Sequence, residues 1–187
     1  MGFFLLWPVL VAGVHGPLLD RVVAVVEGDP ITQSELVMEF RLALAMRAGE
    51  AVAMNEDSRD LVVRFLRDYL ITQLLLADQA RRYGAEDPSE LAIDQSIQGL
   101  HSKFPTQDSY EDFLRKFGIG EARVRDIFRR DLRNEMFLAK QFGAETKSSD
   151  VRAKRLEHWL AQIRSSASIL MMGRGGVLEP LTRMSGP

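Results

Sequence analysis

The stretch LLDRVVAVVEGDPITQSEL, residues 18–36, decides how the rest of the chain folds. It contains a short apolar run of mostly β-branched residues, 22–26, which favours a buried β-strand. The sequence Glu27-Gly28-Asp29-Pro30 then breaks the run, because glycine and proline favour turns. Thr32 is followed three positions later by Glu35, which is the spacing of a capping box. The stretch therefore predicts a strand, a turn and a helix that starts at Thr32, in that order.

Composition sets broad limits on the class of protein. The chain has 187 residues, of which 46% are hydrophobic and 27% charged, a balance typical of one globular domain. Its formal net charge of −2 gives no general attraction to nucleic acid or to anionic lipid. The absence of cysteine excludes disulfides, thiolate metal sites and cysteine nucleophiles, but it does not identify the compartment.

The N-terminal residues 1–17 resemble an export signal. The sequence MGFFLLWPVLVAGVHG is apolar, too short to span a bilayer comfortably, and followed by small residues. Cleavage after Gly13 or Gly16 satisfies the small-residue rule, although Pro17 argues against the second position. No Lys or Arg precedes the apolar core, so an uncleaved N-terminal anchor and a start codon further upstream stay open as alternatives. The prediction for residues 1–17 is a signal peptide or N-terminal anchor, and hence an exported, periplasmic protein.

The rest of the chain is predominantly helical by its apolar periodicity. The spacing predicts about six helices, at roughly 32–48, 59–83, 88–104, 106–117, 121–142 and 150–164. The second helix is the longest and is apolar around much of its circumference, so we expect it to form the core. Residues 49–57 are expected to form a loop. Pro88 is expected at the first position of the third helix, since proline fits there.

A second short strand is predicted at residues 166–171, near the end of the chain. A single strand leaves its backbone donors and acceptors unpaired, so we expect this segment to pair with the strand at 21–27. The fold class is therefore mainly α, with about six helices and a small two-stranded sheet that joins the N-terminal and C-terminal strands. Residues 18–172 are interpreted as one domain, and residues 173–187 as a disordered tail.

We find no catalytic constellation in the sequence. His15 lies in the predicted signal, and His101 and His158 are expected to be solvated surface residues without ligand partners. No phosphate-binding loop or metal-ligand spacing is present, so no cofactor and no metal is predicted. The arginine-rich helix at 121–142 is interleaved with Asp and Glu, which favours ion pairs within that helix over nucleic-acid binding.

Methionine supplies the candidate contact residues. Flexible thioethers suit surfaces that repack against varied partners. We therefore single out four of the eight methionines as candidate client contacts: Met38, Met46, Met54 and Met136. For each of them, filling a gap in the core is an equally good interpretation.

The order of these motifs resembles the SurA-type periplasmic chaperones. Asp20, Val22, Ala24, Val25, Val26, Ile31, Thr32, Ser34 and Glu35 match the strand-and-helix opening of that family. The segments LRDYLITQLLLADQARRYG at 66–84, DSYEDFLRKFGI at 108–119 and LEHWLAQIRSSASI at 156–169 are similar to its later helices and closing strand. The resemblance covers roughly residues 18–171 and implies the family's chaperone core.

The chain departs from the family pattern at one junction. SurA carries parvulin-type prolyl isomerase modules between its fifth helix and its closing helix, whereas here that junction is only residues 143–149. The resemblance therefore implies an ATP-independent holdase for unfolded outer-membrane or secreted protein chains, and no enzyme. Two alternatives stay open: a dedicated interaction or assembly module, which includes pairing with a second copy of the chain, and a prolyl isomerase partner whose catalytic module is absent.

Overall fold

A computed structural model describes residues 20–143, 149–173 and 175–181 of the chain. The predicted signal segment and His15 lie outside these residues. The described part is mainly helical, with a small four-stranded antiparallel sheet built from strands near both ends. This confirms the predicted fold class, although the sheet has two more strands than expected.

The opening stretch forms a β-hairpin before it enters the first helix. Strand β1, Val22–Val26, pairs with strand β2, Asp29–Thr32, and Val26 lies opposite Asp29. The two-residue turn between them is Glu27-Gly28, with φ angles of 52° and 93°. Two successive positive φ angles define the tight turn that matches the twist of a hairpin. The predicted break over Glu27-Gly28-Asp29-Pro30 therefore begins at the right residue but is wrong about Asp29 and Pro30, which extend along the sheet.

The two ends of the described chain meet in the sheet. Strand β3, Ile169–Met172, is antiparallel to β1, with Ala24 opposite Met171 and Val26 opposite Ile169. This confirms the predicted pairing of the N-terminal and C-terminal strands. Strand β4, Leu178–Pro180, adds to the other side of β3, in a segment where the sequence predicts no regular structure. The strand order is β2-β1-β3-β4, so both edge strands contain a proline, which edges tolerate.

The helices follow the predicted order with local differences. They are α1 Gln33–Ala48, α2 Glu50–Asn55, α3 Arg59–Arg64, a π-helical segment Phe65–Leu70, α4 Ile71–Arg82, α5 Glu90–His101, α6 Gln107–Lys116, α7 Glu121–Phe142 and α8 Ser149–Ser166. Helix α3, the π-helical segment and α4 are continuous and form the long helix that the sequence predicts. Helix α2 occupies the predicted loop. Helix α5 begins after Ser89, whose side chain accepts from the Ala92 N–H, so the predicted placement of Pro88 is wrong.

The start of α1 has the cap that the sequence indicates. Thr32 accepts a hydrogen bond from the Glu35 N–H, and the Glu35 carboxylate accepts from the Thr32 N–H at 3.1 Å. Ile31 and Leu36, which flank this box, are both buried in one cluster. The cap therefore fixes the angle at which α1 leaves the sheet.

Helix α1 is the element that joins the two hydrophobic clusters of the described chain. Leu36 belongs to a cluster formed with the sheet and the long helix. Met38, Leu42 and Ala45 belong to a second cluster, formed with α2, α5, α6 and α7. The core is therefore divided between two sides of α1, rather than centred on the long helix as the sequence analysis expected.

Candidate functional site

An open groove lies between α1, the long helix and α7. Its volume is about 760 Å³. Most of its lining side chains are apolar or aromatic: Phe40, Leu42, Ala43, Leu44, Met46, Leu61, Phe65, Tyr69, Leu76, Ile127, Phe128, Leu132 and Leu138. An apolar concavity of this size, with a small number of polar groups, has the general character of a binding site.

Three aromatic rings follow one another in the groove, from α1 to the long helix. The ring centroids of Phe40 and Phe65 are 5.5 Å apart, and those of Phe65 and Tyr69 are 5.1 Å apart. Phe65 and Tyr69 both belong to the π-helical segment, a type of local distortion that is frequent at functional sites. The Tyr69 residue remains 38% exposed, so its ring is accessible from the groove.

A buried ion pair fastens the two walls at the base of the groove. Arg130 on α7 donates to both carboxylate oxygens of Glu39 on α1, each at 2.8 Å. The side chains are only 12% and 5% exposed. Burial disfavours the charged guanidinium of Arg130, but the hydrogen bonds and the charge of Glu39 outweigh it, so the pKa of Arg130 is raised. The two-pronged geometry makes this contact both strong and directional.

Asp131 and Tyr69 extend this network toward the opposite wall. Arg130 also donates from Nε to Asp131 at 2.8 Å, and the Tyr69 hydroxyl donates to the same carboxylate at 3.4 Å. Burial raises the pKa of Asp131, against the opposing effect of Arg130. Burial and the charge of Asp131 raise the pKa of Tyr69 to about 12, so Tyr69 is neutral and a donor at physiological pH. One guanidinium is thus shared by two carboxylates, those of Glu39 and Asp131.

Asn134 lies on the same wall, one turn along α7 from Arg130. It is 1% exposed, and its amide nitrogen donates to the main-chain oxygen and the side-chain oxygen of Gln73 at 3.0 Å and 2.9 Å. Its side-chain oxygen is buried and has no hydrogen-bond partner among the described residues. A buried acceptor without a partner is unusual in a native protein.

The four candidate methionines are not brought together. Met46 lines the groove. Met38 is only 8% exposed, because it packs in the cluster shared with α5, α6 and α7, and Met54 packs partly buried against that same cluster. Met136 is exposed on α7 but does not line the groove. In this structure Met38 is therefore a core residue, and Met46 alone of the four lies in the groove.

The groove residues that sequence reasoning missed are the aromatic wall and the polar base. The spacing of four between Phe65 and Tyr69 places them on one helix face, and this was a usable signal. Glu39 and Arg130 are 91 positions apart in the chain. No local pattern connects two residues at that separation.

The two described histidines differ in their surroundings. His158 is exposed on α8, as the sequence analysis expected. His101 is half-buried, with its ring centroid 4.0 Å from that of Tyr110, so the expectation of a solvated side chain is wrong for His101. Among the described residues, no group of three or more His, Asp or Glu side chains is placed to hold a metal ion.

The arginines of α7 mostly pair with other elements rather than within the helix. Arg129 pairs with Asp126 one turn away, as predicted, but it also reaches Glu90 on α5 at 3.1 Å. Arg125 pairs with Glu90 and with Asp94 at 2.6 Å, both on α5. Further pairs leave α7 from Arg123 to Glu35 and from Arg133 to Asp87. The predicted intrahelical pairing is therefore only part of the arrangement, and the charged face of α7 mainly holds helices together.

None of the described helices combines the length and the hydrophobicity needed to span a bilayer.

Comparison with known proteins supports the resemblance that the motifs indicate. No protein-family model matches the chain. The chain is 30% identical over 115 residues to the chaperone SurA of Saccharophagus degradans. The matched region covers 61% of this chain but 26% of that chaperone, so the chain spans about a quarter of the length of its relative. Over this region the chain is similar to a SurA-type chaperone, which confirms the resemblance inferred from its sequence motifs.

Proposed function

We propose that the protein is an ATP-independent holdase that binds unfolded polypeptide chains in the groove between α1, the long helix and α7. The observation that carries this proposal is the groove itself, with its mostly apolar lining and its row of aromatic rings. Unfolded chains expose apolar side chains that a folded protein buries, and an open apolar groove lowers the free energy of those side chains by removing them from water. No bond is made or broken in such a function.

The similarity to SurA supports the same proposal and suggests the setting. Since the matched relative is a chaperone, unfolded protein chains are the expected class of partner. We further propose that the clients are outer-membrane or secreted proteins and that the protein works in the periplasm. The predicted export signal at residues 1–17 agrees with this location.

A prolyl isomerase activity of this chain is not part of the proposal. The connection between α7, which ends at Phe142, and α8, which begins at Ser149, is six residues long. An independently folded module needs about 50 residues or more, so this connection has no room for one. A proline-isomerisation assay on a short peptide should therefore show no rate above the uncatalysed reaction.

The proposal is tested by aggregation of an unfolded β-barrel protein. The client is diluted from urea with and without the purified protein, and light scattering is followed over time. We expect the protein to slow aggregation when it is present in several-fold excess. No effect on scattering under these conditions would contradict the proposed function.

A matched pair of tyrosine variants locates the binding surface. Tyr69→Ser removes an exposed ring from the groove wall, where it packs against Phe65. Tyr83→Ser removes another exposed tyrosine ring, which stacks on Phe137 outside the groove. We expect Tyr69→Ser to weaken the suppression of aggregation and Tyr83→Ser to retain it. Equal behaviour of the two variants would place the binding surface elsewhere.

The same assay separates a general holdase from a dedicated interaction module. Several unrelated unfolded clients are titrated in parallel with the wild-type protein. A holdase slows the aggregation of most of them with similar weak affinity, whereas a dedicated module acts on one.

A further inference from the structure

Carboxylates outnumber cationic side chains on the polar part of the groove wall. The carboxylates of Asp68, in the π-helical segment, and Glu135, on α7, both line the groove and are exposed. Neither carboxylate forms an ion pair with another described residue. Asp131, which also lines the groove, shares the single guanidinium of Arg130 with Glu39. The wall therefore carries more negative charge than the cations around it neutralise.

Asn134 adds an independent acceptor between Asp131 and Glu135 on the same helix. Its amide nitrogen must face Gln73, because the main-chain oxygen of Gln73 can only accept a hydrogen bond. The orientation of the side chain is thus fixed, and the oxygen points away from Gln73 with no partner. A buried acceptor without a hydrogen bond destabilises the protein, so a ligand that donates a hydrogen bond to it binds more favourably.

Two cations also line the groove, but they leave these acceptors unpaired. Arg47 and Arg64 are both exposed, at the end of α1 and of α3 respectively. Arg64 donates from Nε to the main-chain oxygen of Asp60, and neither arginine contacts a groove carboxylate within ion-pair distance among the described residues. The exposed carboxylates of Asp68 and Glu135 therefore face the open groove without a cationic partner among the described residues.

We propose that the groove prefers apolar client segments that carry a lysine or arginine side chain, whose cationic group is received by Asp68, Glu135 and the oxygen of Asn134. This inference rests on the proposed function, since it names the class of segment that the groove holds. The aliphatic stem of such a side chain lies against the apolar lining while its charged end meets the acceptors. Because the Asn134 oxygen is buried, the cationic group of the client reaches it only when neighbouring side chains of the groove move aside. The hydrogen bond that then forms to this unpaired oxygen favours the movement.

The proposal is tested with three fluorescein-labelled peptides of otherwise identical apolar sequence. The central residue is lysine, norleucine or glutamate, and binding to the wild-type protein is measured by fluorescence anisotropy at low salt. Norleucine keeps the aliphatic stem of lysine and lacks only the ammonium group. From the usual strength of exposed ion pairs, we expect the lysine peptide to bind about two- to fivefold more tightly than the norleucine peptide. The glutamate peptide should bind most weakly, and added salt should shrink these differences.

Charge-neutral variants assign the effect to the groove. Asp68→Asn and Glu135→Gln should each reduce the ratio of lysine to norleucine affinity. Glu111→Gln changes an exposed carboxylate of α6 outside the groove and should leave the ratio unchanged. These three positions are exposed, so the variants are expected to fold, which circular dichroism verifies.

The outcomes distinguish this inference from the proposed function. If all three peptides bind and norleucine binds as tightly as lysine, the preference for a cation is refuted while the holdase proposal stands. If Glu111→Gln lowers the ratio as much as the groove variants do, the preference reflects overall charge and the assigned site is refuted. If no peptide binds, both the inference and the proposed function fail.

Discussion

Removal of the Glu39 carboxylate should destabilise the protein far more than removal of an exposed carboxylate. Glu39→Gln leaves the Arg130 guanidinium buried, with Asp131 as its remaining acidic partner. Breaking a buried ion pair from one side typically costs about 3–5 kcal/mol. Because Asp131 still accepts a hydrogen bond from Arg130, we expect a loss at the lower end of this range, about 3 kcal/mol of unfolding free energy.

The double variant provides the sharper test of the same contact. Arg130→Met alone leaves Glu39 buried beside Arg123, which approaches it only to 4.0 Å, so this change should also cost about 3 kcal/mol. When Glu39→Gln and Arg130→Met are combined, neither charge of the pair stays buried without its partner. The unfolding free energy lost in the double variant should therefore be smaller, by about 2 kcal/mol or more, than the sum of the losses in the two single variants.

Urea unfolding followed by circular dichroism measures these free energies. The control is Asp112→Asn, which removes a carboxylate from the exposed pair with Arg115 and should cost about 0.5 kcal/mol or less. The assignment of Glu39–Arg130 as the contact that fastens α1 to α7 would be refuted by a loss in Glu39→Gln no larger than in the control. Additive losses in the double variant would refute it equally.

Three further predictions concern the opening hairpin and the start of α1. Thr32→Ala removes the cap of α1 and should lower the unfolding free energy by about 1 kcal/mol in urea unfolding, and an unchanged midpoint would contradict the role of the cap. Gly28→Ala puts a side chain at φ 93° and should cost about 1 kcal/mol in the same assay, whereas a stabilised variant would contradict the turn geometry. Hydrogen bonds from Ser34 and Thr32 lower the pKa of Asp20, so Ser34→Ala should raise that pKa in a carboxylate NMR titration. Because the folded pKa is the lower one, the contribution of Asp20 to stability is present at neutral pH and is lost as the pH falls through the folded value. An unchanged titration of Asp20 in the variant would contradict the assigned contact.

The sequence predicts the elements whose determinants are local. The capping box of Thr32 and Glu35 places the start of α1, and both hydrogen bonds are present in the structure. The pairing of β1 with β3 is predicted from the requirement that the backbone groups of a strand find partners, although β2, which the sequence does not predict, pairs with the other edge of β1. The long helix follows from apolar periodicity that continues from α3 to α4.

The same local reasoning fails where the deciding contact is distant or where two turn geometries compete. Glu27 and Gly28 form the tight turn, and Pro30 lies in the edge strand β2. The Gly-Asp-Pro sequence does not indicate which of its residues belong to the turn and which to the strand. The π-helical segment FLRDYL contains no glycine or proline that would mark a distortion. The groove depends on which apolar faces of α1, the long helix and α7 meet, and periodicity identifies a face but not its neighbour.

The central claim is that unfolded clients bind in the groove, and site-specific photocrosslinking tests it most directly. A diazirine analogue of methionine is placed either at Met46, which lines the groove, or at Met136, which is exposed on α7 outside it. Both proteins are irradiated in the presence of the same unfolded β-barrel client. The account predicts crosslinked client from the analogue at Met46 and little or none from the analogue at Met136. Crosslinking from Met136 that equals or exceeds that from Met46 would contradict it.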